Sequence, residues 1–225
     1  MTTIEFTDPT EQASRTEGRS GRSRSRLTRE HVIDGDRAEA LWEMYRDAFE
    51  PLETIAVQQH LWSKADILAQ LADDRIVKFV VWNNDEPLGM CMITNNLDLV
   101  PMISPRYLQA LYPQHAERSA IFYGIMIFVK AGSPGRTTFA RLGAHMAQEA
   151  ALSRGVVVFD MCRFNRENRS LDDNLARLGA PFKNSSMTVV DQQTWFAFEV
   201  PEPLATLDPR PTFGRRTTPR RHLAR

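Results

Sequence analysis

The chain has 225 residues with 42% hydrophobic and 25% charged side chains, enough for one domain with a substantial core. Its 28 Lys and Arg balance 28 Asp and Glu, but unevenly: residues 15–29 hold six Arg and one Glu, residues 210–225 six Arg and no acid. Removing these leaves 16 bases against 27 acids, an acidic body of net charge −11 between two basic ends. The two Cys, Cys91 and Cys162, lie in apolar runs that read as strands, and nothing in their number or spacing suggests a disulfide framework or a zinc site. The opening MTTIEFTDPTEQ is polar and acidic, unlike a secretory leader, and the longest apolar run, 120–129, is too short to cross a bilayer. These features point to a soluble, cytoplasmic protein with no membrane partner.

Residues 1–28 carry few large apolar side chains and are expected to be a disordered Arg/Ser-rich tail. From 37 to 49, Leu41, Trp42, Tyr45, Ala48 and Phe49 share a helical face, and Pro51 stops it. Ser63 and Asp66 make a capping box before Ile67, Leu68 and Leu71. Runs 76–82 and 88–94 flank Asn83-Asn84-Asp85-Glu86-Pro87 and predict an antiparallel hairpin. Ser104-Pro105 opens a short helix to about Tyr112.

Residues 120–129 are apolar on both faces, as in a strand covered on each side. A loop with Gly132, Pro134 and Gly135 follows, then a helix with Phe139, Leu142, Met146 and Ala150 on one face, which Gly155 is placed to end. Residues 156–159 read as a second strand, extending as far as Cys162, parallel to the first. Ser170 and Asp173 cap a last helix carrying Leu171, Leu175 and Leu178 and ending at Gly179. Runs 187–190 and 195–200 around Asp191-Gln192-Gln193 predict a closing hairpin. The fold class is α/β (α+β): a mixed, mostly antiparallel sheet with a central parallel strand pair, flanked by helices. The domain spans 29–201, and 202–225 form a second basic, Pro/Arg-rich tail.

The segments IFVKAGSPGRTTFARLGAHMAQEA and VVVFDMCRFNRENRSLDDNLARLGA resemble the central strand, pyrophosphate loop, helix and following strand and helix of the Gcn5-related N-acetyltransferase (GNAT) family, over roughly 37–200. The resemblance implies a V-shaped gap between the parallel strands where acyl-coenzyme A or acetyl-coenzyme A lies as cosubstrate, with an amine as acceptor. Backbone amides at a helix start suit a diphosphate, and glycines let it approach. By this resemblance Val129, Gly132, Gly135, Arg136, Thr137 and Thr138 hold the coenzyme, with Asn165 and Asn168 after the second strand. The chain departs from the family pattern at Pro134, Thr137 and Phe139. It has Leu175 where many members have a catalytic Tyr, and no acid within 120–129. Tyr123 and Asp160 are the candidate catalytic residues, with His145 nearby. His60, His115 and His145 lack metal-ligand spacing, so no metal is expected. The expected function is acyl transfer from acyl-coenzyme A to an amine. The alternatives are a catalytically degenerate domain that binds a coenzyme or a protein partner, and a nucleic-acid-associated protein acting through its basic tails.

Overall fold

The structure, a computed structural model, describes residues 4–5, 25–56, 61–179, 182, 185–197 and 199. Two short strands come first, β1 (Ile4–Glu5) and β2 (Arg26–Glu30), so regular structure begins ahead of the expected boundary at Arg29. Helix α1 (Gly35–Phe49) follows and runs into a 3-10 turn at Glu50–Thr54. Helix α2 (Lys64–Ala72) starts on the predicted capping box, with Ser63 Oγ accepting from the Asp66 amide and the Asp66 carboxylate accepting from the Ser63 amide. Strands β3 (Val77–Asn83) and β4 (Glu86–Thr94) form the predicted hairpin, turning at Asn84, whose φ of 55° is left-handed. After α3 (Pro105–Leu111) and α4 (Pro113–Ala116) come strand β5 (Ile121–Val129), helix α5 (Gly135–Leu152), strand β6 (Val156–Val158), and helices α6 (Arg163–Arg169) and α7 (Leu171–Gly179). No described helix is long and apolar enough to cross a membrane.

The strands make one six-stranded sheet in chain order, antiparallel throughout except for the parallel pair β5 and β6. Alternation along the strands sorts side chains to its two faces. Val80, Trp82, Met90, Met92 and Phe128 pack against Leu41, Tyr45, Ile67 and Leu71 of α1 and α2. Phe79, Val81, Cys91, Ile93 and Phe122 pack against Leu142, Met146 and Ala150 of α5. A smaller cluster, Leu97, Val100 and Leu108 with Ile121 and Tyr123, covers the start of β5.

The predicted closing hairpin is not formed: the described residues of 185–199 contain no strand, while Phe198 and Val200 lie outside the described set. Two short alternating runs gain stability as strands only against a third strand or a packed face. Here Trp195 and Phe196 are exposed, Phe196 to 92%. Val190 also begins a second compact unit, of which residues 190–197 and 199 are described. Consequently the parallel pair closes the described sheet on one side.

Lys78 is fully buried on the α1 and α2 face, and its Nζ donates to the carbonyls of His31 at 2.7 Å and Asp73 at 2.5 Å. Burial lowers its pKa to about 8, against the opposing pull of Asp73, Asp74 and Glu30. Between about pH 8 and its unfolded value of 10.5 the unfolded chain holds a proton that the folded chain lacks, so this group adds stability as pH rises through that window. The unfolding free energy of the wild type, measured against Lys78→Met, is therefore expected to increase from pH 8 to 10.5; a flat difference refutes a depressed lysine.

The sequence places Gly155 at the end of α5, but the left-handed residue there is Arg154, with φ 50°. Gly155 serves close approach instead: a Cβ on it would lie 2.7 Å from the Ala120 carbonyl oxygen and 3.0 Å from that of Ala150. Because both obstacles are backbone, Gly155→Ala should destabilise the fold by about 1–3 kcal/mol in denaturant titrations. A neutral effect would show that β5 and β6 are not held this tightly.

Candidate functional site: the opening between β5 and β6

The parallel ladder is short. Ile121, Phe122 and Tyr123 pair with Val156, Val157 and Val158, and there it stops. β5 continues to Val129, bonded on its other side to β4, so residues 124–129 have no strand partner on the β6 side among the described residues. At a strand rise near 3.3 Å this open edge is roughly 20 Å long. A bulge between Met92 and Ile93 on β4 leaves Ile125 as the extra residue on β5, and both Ile125 and Met126 pack toward the α1 face. Bulges of this kind re-aim side chains and are common beside active sites.

At the apex, where the strands part, Tyr123 donates its hydroxyl proton to the Asp160 carboxylate in a short hydrogen bond. Tyr123 is buried, while Asp160 is exposed just beyond β6. Burial first, and then the hydrogen bond to and charge of Asp160, drive the Tyr123 ionisation well above that of a free phenol. Tyr123 is thus a neutral donor, and the exposed Asp160 side chain accepts its hydrogen bond. The two candidate catalytic residues do meet. His145 does not join them: its Nδ1 contacts the Arg141 carbonyl and its ring lies 5.8 Å from Phe79, on the α5 side.

At the mouth, the loop from β5 to α5 is tightly folded. The Lys130 carbonyl accepts from the Ser133 amide at 3.2 Å and from its hydroxyl at 2.7 Å, and Gly132 takes φ +76°, with open space where a side chain would stand. Pro134, at φ −66° and ψ 64°, makes an inverse γ-turn that directs the Gly135 amide to the Ser133 carbonyl at 2.6 Å. The Thr137 and Thr138 amides both reach the Pro134 carbonyl at 3.1 Å. Gly135 lies against Val129, where a Cβ would meet Val129 Cγ2 at 3.4 Å. Gly132, Arg136 and Thr137 are exposed.

Thr138 is placed differently from its expected role in the loop. It is only 3% exposed, and its methyl would stand 2.8 Å from a Cβ on Gly89, so its side chain fills the space over β4 and does not belong to the exposed donors of the loop. Phe139, by contrast, is only half-buried. Sequence patterns also missed Lys130, which forms an ion pair with Glu86 across the β4–β5 end. A basic residue closing an apolar strand beside a Gly-rich loop was the available signal.

Asn165 and Asn168 sit on α6, a helix that apolar periodicity did not reveal. Its residues RFNRENR carry no repeating apolar face; the available clue was the i,i+4 pair Arg163–Glu167, which closes at 2.7 Å. Asn165 turns inward, with Oδ1 buried and without a hydrogen-bond partner, whereas Asn168 is exposed. Cys162 precedes this helix at its N-cap position and is not in a strand. Leu175 is half-buried on α7. Among the described residues no group of three or more His, Cys, Asp or Glu could hold a metal. The Arg-rich ends lie largely outside the described residues.

No family model matches the chain, and no curated protein is significantly similar to it. Solved structures that it is similar to include an aminoglycoside acetyltransferase from an uncultured soil metagenomic sample in complex with sisomicin (12% identity, 78% of this chain and 97% of that one, TM-score 0.44). A ribosomal-protein-alanine N-acetyltransferase from Brucella melitensis biovar Abortus 2308 shares 11% identity over 78% of this chain and 99% of its own, with TM-score 0.45. The aminoglycoside N-acetyltransferase AAC(6')-Iy in complex with CoA shares 12% over 79% and 99%, with TM-score 0.47. Likeness at this level says nothing about chemistry, which rests on the residues themselves.

The state of Tyr123 is directly measurable. At about pH 11, where free tyrosine is largely ionised, the folded wild type and Tyr123→Phe should show the same number of phenolates by ultraviolet difference absorption. An extra phenolate in the wild type would rule out the neutral donor.

Proposed function

We propose that the chain is an acyl-coenzyme A-dependent N-acyltransferase of GNAT type that works in the opening between β5 and β6. The observation that carries this is the parting of the strands after Tyr123 and Val158, which leaves the 124–129 edge of β5 without a strand partner among the described residues. Unpaired strand edges accept extended, amide-bearing chains by main-chain hydrogen bonding. The arm of a coenzyme A thioester is such a chain, with phosphates at one end and the reactive group at the other. An ion-pair partner for Arg136 is not found among the described residues, and this exposed guanidinium stands on the first turn of the 18-residue helix α5, where the dipole favours anions. The exposed Thr137 hydroxyl lies one residue further on. The orphaned Asn165 Oδ1 supports a polar ligand near α6, since buried polar atoms ordinarily find partners.

In the proposed reaction an amine nitrogen attacks the thioester carbonyl, the carbon–sulfur bond breaks and the thiolate leaves. The amine proton passes to Asp160, which Tyr123 holds in position. Positioning of the two substrates supplies much of the acceleration. A second reading, coenzyme binding without turnover, is favoured by two observations: β5 itself bears no acidic side chain, and Leu175 stands on α7.

A thermal-shift titration with acetyl-coenzyme A and longer acyl-coenzymes tests binding. A ligand at 100 times its Kd adds about 2.7 kcal/mol to native stability, and Arg136→Glu should reduce the shift. Asp160→Asn should retain binding and lose about 10²-fold or more in thiol release with an amine panel. No shift in the wild type with any acyl-coenzyme overturns the transferase, and binding without thiol release selects the second reading.

A further inference from the structure

β2 lies beside β3 in the sheet, and its side chains alternate between the two faces. Thr28 and Glu30 point to the α1 side, where they meet Trp82 and Arg37. Leu27 packs with Leu142 and Met146 of α5, and the residues two before and two after it make polar contacts to the same helix. At one end Arg29 grips Glu149 with two hydrogen bonds of 3.0 and 2.6 Å, a bidentate ion pair. At the other end Arg141, two helical turns earlier, donates from Nη1 to Ser25 Oγ at 2.8 Å. These two clamps are chemically unequal. The Arg141 guanidinium is half-buried and, among the described residues, has only a neutral hydroxyl as side-chain partner, leaving four of its five N–H donors for an anion.

Ser25 lies in the run Arg22-Ser23-Arg24-Ser25-Arg26, at the basic N-terminal end that precedes the acidic body. Arginines preceding a serine are charge-complementary to acidic kinase substrate grooves, a recurrent basis of kinase specificity. Ser25 stands one residue before the first ladder pair, Arg26 with Trp82, so its own backbone is not held in the sheet. Three features therefore coincide at one hydroxyl: a basic approach sequence, a position just outside the ladder, and a guanidinium already in contact.

We infer that Ser25 is a phosphorylation site whose phosphate is held by Arg141, fastening the start of β2 to α5. The co-reactants are ATP and a serine kinase that selects basic substrates. The Ser25 oxygen bonds to the γ-phosphorus, the bond from that phosphorus to the bridging oxygen of the β-phosphate breaks, and ADP leaves with the electron pair. The hydroxyl proton passes to the carboxylate base of the kinase. The dianionic product places three acceptor oxygens against the Arg141 fork and converts a neutral contact into a charge-assisted one. Because α5 also carries the loop 130–134 at its start, the modification acts on the element that forms the mouth of the opening.

The test uses the full chain, produced with phosphoserine encoded at position 25, beside the unmodified chain, each in wild-type and Arg141→Gln backgrounds. Phosphoserine should raise the thermal midpoint by about 2–4 °C in the wild-type background and by much less with Arg141→Gln. An equal rise in both backgrounds, no rise or a fall overturns the inference. In parallel, unmodified protein incubated with ATP and the catalytic subunit of a basophilic serine kinase should carry phosphate on Ser25, located by mass spectrometry. Phosphate confined to Ser20 and Ser23, or none, overturns the assignment of the acceptor.

Discussion

Backbone meets backbone where Gly155 passes the Ala120 carbonyl, and the proposed site depends on that contact. The amide of Val156 donates to the same carbonyl at 3.0 Å, so β6 is seated against the base of β5 by groups that cannot yield as a side chain can. Three ladder pairs follow, the last joining Tyr123 to Val158. A strand seated so closely at one end and released after three residues leaves its neighbour's edge open. Backbone groups of 124–129 that face the β6 side have no strand partner among the described residues and suit partners from water or a ligand.

The same geometry explains the pairing of a buried tyrosine with an exposed carboxylate. Tyr123 is the last β5 residue with a β6 partner, and Asp160 comes two residues after the end of β6. Their side chains meet because the strands are still adjacent there and the backbones have begun to part. Burial keeps the phenol neutral, and its one proton is spent on fixing Asp160. The apex thus carries an exposed acidic side chain, while the mouth presents a helix N-terminus with Arg136. Such a polarity suits the two proposed substrates, an anionic coenzyme at the mouth and an amine at the apex.

Helix α5 links these features to the rest of the sheet. Its inner face supplies Leu142, Met146 and Ala150 to the core, its first turn forms the mouth, and Arg141 and Glu149 hold β2. Thr138 illustrates how closely these duties are interleaved. One residue after the exposed Thr137, it is buried over Gly89, so packing begins within a turn of the helix start.

Much of the fold was legible in the residues alone, because its signals are local. The α1 face, the Ser63–Asp66 capping box, the turn at Asn84 and the Ser104 cap each act within a few residues, and all formed as predicted. The two-faced apolar run of β5, and its joining to β6 through a helix, determined the mixed sheet. Local signals failed where partners decide. The runs at 187–190 and 195–200 alternate correctly, yet their described residues form no strand, and α6 forms without apolar periodicity. At the site, the family resemblance pointed to Tyr123, Asp160 and the Gly132–Thr138 loop, but only the tertiary structure decided that Tyr123 and Asp160 touch, that Thr138 faces inward and that Lys130 pairs with Glu86. Periodicity and capping operate over one turn or one hairpin, whereas the opening arises from how far two strands distant in sequence stay paired, which is set by backbone contacts that no side-chain pattern encodes.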